Sequence, residues 1–175
     1  MKPSECCILI PSLSPDGKLT AYVNTLLAAD FGGVVVVDDG SHAASAPIFD
    51  EIARMDRCVV LRHENNRGKG AALRTGTEYI RDHTAFDGVI TADSDGQHTA
   101  EDTLRLAERL TEDGREMILG TRDFSHKNKS VPFKSRAGNR LTSCVFLLLY
   151  GHFLPDTQTG LRAYNRGMYD FMLEV

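Results

Sequence analysis

The sequence has no cysteine pair spaced for a metal knuckle. Its four cysteines are Cys6, Cys7, Cys58 and Cys144. No two of them stand as C-x-x-C, which argues against a structural zinc site. Buried free thiols in a reducing compartment account for them. Long apolar runs are missing as well. The longest, Cys144 to Tyr150, is too short to cross a bilayer, and Cys6 to Ile10 is too short for the apolar core of a signal peptide. The stretch is therefore expected in the cytoplasm. A basic excess is also absent: the net charge of -4 leaves no bulk electrostatics for nucleic acid, so no such partner is expected. What is present is the composition of a globular protein, 42% hydrophobic and 25% charged, in 175 residues that make one domain with a substantial core.

Short apolar runs alternate with amphipathic segments. Cys6 to Ile10 is continuously apolar and reaches Pro11, as suits a strand buried on both faces. Ser14-Pro15-Asp16 offers a helix start, with Leu19, Tyr22, Val23 and Leu26 repeating at helical spacing behind it. Val34 to Val37 is a second buried strand and Cys58 to Leu61 a third, separated by a weak helix over 48–55. A helix over 71–81 leads to a fourth strand carrying Val89, Ile90 and Ala92, and Thr99 to Asp102 resembles a capping box for the next helix. Met117 to Leu119 is a fifth strand. Such alternation predicts an α/β fold with a mostly parallel sheet, helices on both faces and a site at the strand carboxyl ends.

Those strand ends carry the chemistry. The fourth runs into Asp93-Ser94-Asp95-Gly96-Gln97-His98. Two carboxylates at i and i+2 share a face if the strand continues, and their repulsion is relieved by a hard divalent cation, Mg²⁺ or Mn²⁺, with the Gln97 amide oxygen as a further ligand. An isolated Asp-x-Asp also fits a solvated turn. The second strand ends in Asp38-Asp39-Gly40-Ser41, where a carboxylate can accept from a base or ribose, or simply close an Asx-turn. After the third come Arg67-Gly68-Lys69-Gly70, whose glycines let backbone amides approach a phosphate and whose cations supply charge at a helix start. The fifth is followed by Gly120-Thr121-Arg122. Nucleotide, metal and phosphate chemistry thus meet in one crevice.

Beyond it the chain is basic from Asp123 to Lys134 and reads as a loop. Ser135-Arg136 opens a helix with a basic start and an apolar body, suited to a core face or to a lipid phosphate at a membrane surface. None of the six histidines has a pattern that gives it a role. Leu154 to Tyr164 is a polar turn entering a short strand, and 167–175 begins another helix that stops uncapped, as in a domain cut at its C-terminus.

Ile8 to Pro11, Val36 to Ser41, Arg67 to Gly70, Asp93 to His98, Gly120 to Arg122, Ser135-Arg136 and Asp156 to Gly160 together resemble, in content and order, the family 2 glycosyltransferases of the GT-A fold. The likeness is strongest to the branch of dolichyl-phosphate mannosyltransferases and polyprenyl-phosphate glycosyltransferases. The resemblance implies a single catalytic domain over 1–175, built as a Rossmann-like three-layer sandwich. It implies metal-dependent, inverting transfer of a sugar from a UDP- or GDP-linked donor to a polyprenyl or dolichyl phosphate, at the cytoplasmic face of a membrane. Pro11, Asp38 and Asp39 would line the nucleoside pocket and Lys69 the diphosphate. Asp93, Asp95 and Gln97 would hold Mg²⁺ or Mn²⁺, and Arg122 and Arg136 would take the acceptor phosphate. Asp156 would be the base for a hydroxyl acceptor, as in cell-surface polysaccharide synthesis. A non-catalytic nucleotide-sugar-binding domain is the other alternative, and the oligomeric state is left open. The chain departs from the family pattern at Ser12 to Asp16, where Asn-Glu is usual, and at Gly96, where leucine is common. A dehalogenase-like phosphatase, the other user of Asp-x-Asp, carries that motif after its first strand rather than its fourth.

Overall fold

The computed structural model describes residues 1–114, 116–121, 156 and 159–174. Arg122, Arg136, Cys144, the basic loop and the helix expected from Ser135 lie outside the described residues.

Strands β1 (Cys6–Ser12), β2 (Gly33–Asp38), β3 (Cys58–Arg62), β4 (Gly88–Thr91), β5 (Met117–Leu119) and β6 (Arg162–Asn165) form one sheet in the order β3-β2-β1-β4-β6-β5. The first four are mutually parallel, while β6 pairs antiparallel with both β4 and β5. The mostly parallel sheet is as expected, and the short strand after the Gly160 turn is the one that reverses direction.

β1 and β2 are buried along their whole length because the two-residue alternation feeds two cores. Cys6, Ile8, Ile10, Val34 and Val36 face α1 (Lys18–Ala28), α2 (Ala46–Ile52) and α4 (Ala100–Arg109), with Leu19, Val23, Phe49 and Ala107 packed on them. Cys7, Leu9, Val35 and Val37 face α3 (Lys69–His83) and α5 (Tyr169–Glu174) through Ala72, Ile80 and Tyr169. α3 lies close on the sheet because it presents Gly76 to Leu9, where a Cβ would collide with the leucine side chain. The result is a helix–sheet–helix sandwich.

Two local expectations shift. The first helix begins at Lys18 with Gly17 at its N-cap, not at Ser14. Ser14 instead adopts φ 49°, and its backbone N–H donates to Ser41 Oγ at 2.8 Å, which ties the β1–α1 loop to the β2–α2 loop. The fourth strand ends at Thr91, so Asp93 and Asp95 stand in a turn that Gly96 permits with φ 72°. Thr99 caps α4 as expected, its Oγ1 accepting from Asp102 N at 3.1 Å.

Connections β1–β2 and β2–β3 step one way across the sheet, and β3–β4 returns past both to the other side of β1. The strand order therefore reverses at β1. An open α/β sheet splits at such a reversal, at the carboxyl ends of the strands.

Candidate active site

A cleft of about 350 Å³ lies there, lined by Pro11, Ser12 and Leu13 after β1, Asp39 after β2, Asn66, Gly68 and Lys69 at the start of α3, and Asp93, Ser94 and Asp95 after β4. Of the residues expected to act, Pro11, Asp39, Lys69, Asp93 and Asp95 are brought together. Asp38, Gln97 and Asp156 are not among those lining it.

Asp39 is 6% exposed and its carboxylate is heavily engaged. Oδ1 accepts from Arg67 N at 2.9 Å and lies 2.7 Å from His63 Nδ1, and Oδ2 accepts from Gly68 N at 2.8 Å. Burial pushes its pKa up, but the bonds from Arg67 N, His63 and Gly68 N outweigh burial and leave it below its ordinary value. The Gly68 amide, expected to face a phosphate, is thus turned inward to Asp39 together with the amide of Arg67. Lys69 and the first turn of α3 remain to meet a phosphate. Asp38 closes a turn, its Oδ1 accepting from Ser41 N at 2.9 Å.

The β4 side is held by charge. Lys69 pairs with Asp93, whose carboxylate also lies 3.5 Å from His98 Nε2. His98 first and Lys69 next hold the Asp93 carboxyl well below the usual carboxylate range. Thr91 Oγ1 donates to the Gly160 carbonyl at 2.8 Å, and a Cβ on Gly160 would collide with the Asp93 carboxylate. Only glycine therefore fits the turn that backs Asp93. Gln97 is exposed, with its backbone N–H donating to Asp95 Oδ1 at 3.0 Å. Asp156 is 1% exposed.

Two carboxylates opening on one cleft suit a hard cation that shares its shell with a diphosphate. No group of three His, Cys, Asp or Glu side chains able to hold a metal occurs among the described residues, so the oxygens of a bound ligand would have to complete the shell. Asp93 and Asp95 fit the ion in that shared sense, and Asp93 would have to give up Lys69 to reach it.

Sequence reasoning missed four of these groups. His63 pairs with Asp39 and His98 with Asp93, whereas the sequence pattern gives no histidine a role. Gly160 backs Asp93. Ser12 is 2% exposed, lines the cleft, and its hydroxyl has no hydrogen-bond partner among the described residues.

Comparison with known proteins bears on this geometry. The model of the family described as glycosyl transferase family 2 matches residues 7–170. A UDP-N-acetylglucosamine–dolichyl-phosphate N-acetylglucosaminyltransferase of Methanococcus voltae is 27% identical over 95% of the chain and 72% of its own length. An undecaprenyl-phosphate 4-deoxy-4-formamido-L-arabinose transferase of Pseudomonas paraeruginosa is 34% identical over 80% of the chain and 39% of its own length. A polyprenol monophosphomannose synthase of Mycolicibacterium smegmatis is 27% identical over 76% of the chain, which spans about half of that relative, 51%. Among solved structures, S. aureus TarS 1–349 superposes with TM-score 0.62 at 18% identity, over 98% of this chain and 49% of that one. This last likeness shows the fold, the GT-A sandwich that the motif order implied.

Proposed function

The chain belongs to glycosyl transferase family 2, and from that premise we propose that it transfers a sugar from a nucleotide-diphosphate sugar to a polyprenyl-type lipid phosphate. The observation that carries this reading is the convergence of Asp39, Gly68, Lys69, Asp93 and Asp95 on one cleft at the sheet's reversal point. The names of three relatives, each a polyprenyl- or dolichyl-phosphate enzyme, support the acceptor class.

In this reading Pro11 and Leu13 receive the nucleoside, Asp39 bounds its pocket with a carboxylate already taken up by the loop amides, and Lys69 leaves Asp93 to bind the diphosphate. Asp93 and Asp95, with Gln97 beside them, hold Mg²⁺ or Mn²⁺. The bound ion supplies neutralisation of the charge that grows on the departing nucleoside diphosphate. A lipid phosphate is already anionic at neutral pH, so the acceptor needs positioning by cations rather than a base. We assign that to Arg122 and Arg136. A single displacement from the face opposite the leaving group inverts the anomeric centre. Transfer to a hydroxyl would ask Asp156 to act as base; its near-complete burial, off the cleft lining, weighs against that second reading. No helix among the described residues is long and apolar enough to cross a membrane. The lipid would therefore be met at a membrane surface, and we place the protein at the cytoplasmic face.

The test is transfer from labelled UDP- and GDP-sugars to polyprenyl phosphate in detergent with Mn²⁺. Labelled glycolipid is the expected product, its yield collapsing in Asp95→Ala. Equal labelling of a polyprenol lacking the phosphate would overturn the acceptor assignment.

A further inference from the structure

We infer that His63 is a positioning residue for donor binding, acting through Asp39 on the loop that presents Lys69; the inference rests on the reading of the cleft as a nucleotide-sugar site. Residues 65–70 are all exposed, run from the loop after β3 into the first turn of α3, and give Asn66, Gly68 and Lys69 to the cleft. An exposed loop of this kind keeps its place only through what ties it down. The Asp39 carboxylate ties it, taking the amides of Arg67 and Gly68 on its two oxygens. Asp39 is itself held by a buried imidazole: the His63 side chain is 5% exposed, with Nδ1 at 2.7 Å from Asp39 Oδ1 and Nε2 at 3.0 Å from Thr75 Oγ1.

A carboxylate only accepts, so the proton sits on Nδ1, and in the neutral ring Nε2 accepts the Thr75 hydroxyl. The chain of bonds then runs from α3 through Thr75, His63 and Asp39 to the loop that opens α3. Two further contacts place the ring there. His63 N donates to the Asp38 carbonyl at 2.9 Å. Gly40, at φ 76°, brings the backbone of Asn65 and Asn66 against its own Cα, where a Cβ would collide with them. Without the imidazole, Asp39 is free to turn away from the loop, and Lys69 loses its fixed place relative to Asp93.

The test uses His63→Ala, His63→Asn and Thr75→Val in the whole chain, with two readouts. The first is hydrogen exchange at the Arg67 and Gly68 amides, which needs no ligand. In His63→Ala they exchange about tenfold faster or more, while those of β1 and β2 do not change. The second is affinity for UDP and GDP set against uridine and guanosine. The bound nucleoside diphosphate weakens about tenfold in His63→Ala, the matching nucleoside less than about threefold. The His63→Asn substitution places a side-chain amide N–H near the Nδ1 position and restores both readouts to within about threefold. Thr75→Val, which leaves the ring in place, shows the same pattern at about a third of the effect and serves should His63→Ala not fold. Unchanged amide exchange in both His63→Ala and Thr75→Val would overturn the inference. So would a His63→Asn variant as weak as His63→Ala at equal melting temperature, or an equal loss of nucleoside and diphosphate binding. Wild-type protein that binds neither nucleotide would overturn the reading of the cleft and with it the role in donor binding, while amide exchange still decides the link from His63 to the loop.

Discussion

The two sides of the cleft are built differently. On the β2–β3 side, Asp39, His63, Gly40 and the backbone of Asn65 to Gly68 interlock, with both key side chains nearly sealed from solvent. On the β4 side, Lys69 is 53% exposed and Asp93 33% exposed, Asp95 stands in an exposed turn, and His98 Nε2 meets Asp93 only at 3.5 Å. The first arrangement is satisfied by the protein itself. The second is a set of charges that compensate one another and can change partners. If the cleft takes a nucleotide-sugar as proposed, with the neutral base at one end and the charged diphosphate at the other, this division helps, since preformed shape lowers the cost of ordering while exchangeable charges accept the ligand.

Substitutions on the interlocked side cost stability. Gly40→Ala carries the largest expected effect, about 3 kcal/mol in urea unfolding, because it combines a positive φ with a backbone collision. Asp39→Asn should cost about 2 kcal/mol, since one amide oxygen cannot replace two carboxylate oxygens facing three donors. Its pH dependence is a second check. The lowered pKa of Asp39 means that its contribution is complete above the ordinary value of 3.8 and is lost as pH falls through the lowered one. The stability gap between wild type and Asp39→Asn should therefore be full and constant above about pH 4 and close as the pH falls below it.

On the charged side the same experiment should read little. Asp93→Asn breaks a half-exposed ion pair and should change stability by less than about 1 kcal/mol, while removing Mn²⁺-dependent nucleotide binding. A loss of about 2 kcal/mol or more there would abolish the contrast between the two sides. Smallest of all is Ser12→Ala, which deletes a buried hydroxyl without a partner among the described residues and should raise stability by up to about 1 kcal/mol.

Much of the sheet was legible because its central strands are buried on both faces and so read as unbroken β-branched and aliphatic runs. Val34 to Val37 admits no other placement. The reversal of β6 was not, since Arg162–Asn165 is short and partly polar, and its slot between β4 and β5 is set by tertiary pairing. The acidic strand ends were legible as chemistry but not as geometry. Asp38 and Asp39 look alike in sequence, and one closes a turn while the other orders a loop. His63 could be found only with register in hand: β2 and β3 align Asp38 with Arg62, which puts the next residues, Asp39 and His63, side by side. A lone histidine after a strand carries no such signal. Thiols were easier, as Cys6 and Cys7 are buried and free, and burial pushes the Cys6 thiol up to about 11.

The most direct test of the central claim is the thermal midpoint of the protein with UDP and with GDP, each with and without Mn²⁺. A ligand that binds only the folded state at about a hundred times its Kd adds roughly 2.7 kcal/mol, a shift of several degrees. The account predicts that one of the two nucleotides raises the midpoint and that the rise requires Mn²⁺. No rise with either nucleotide, or a rise of equal size without the metal, would contradict it.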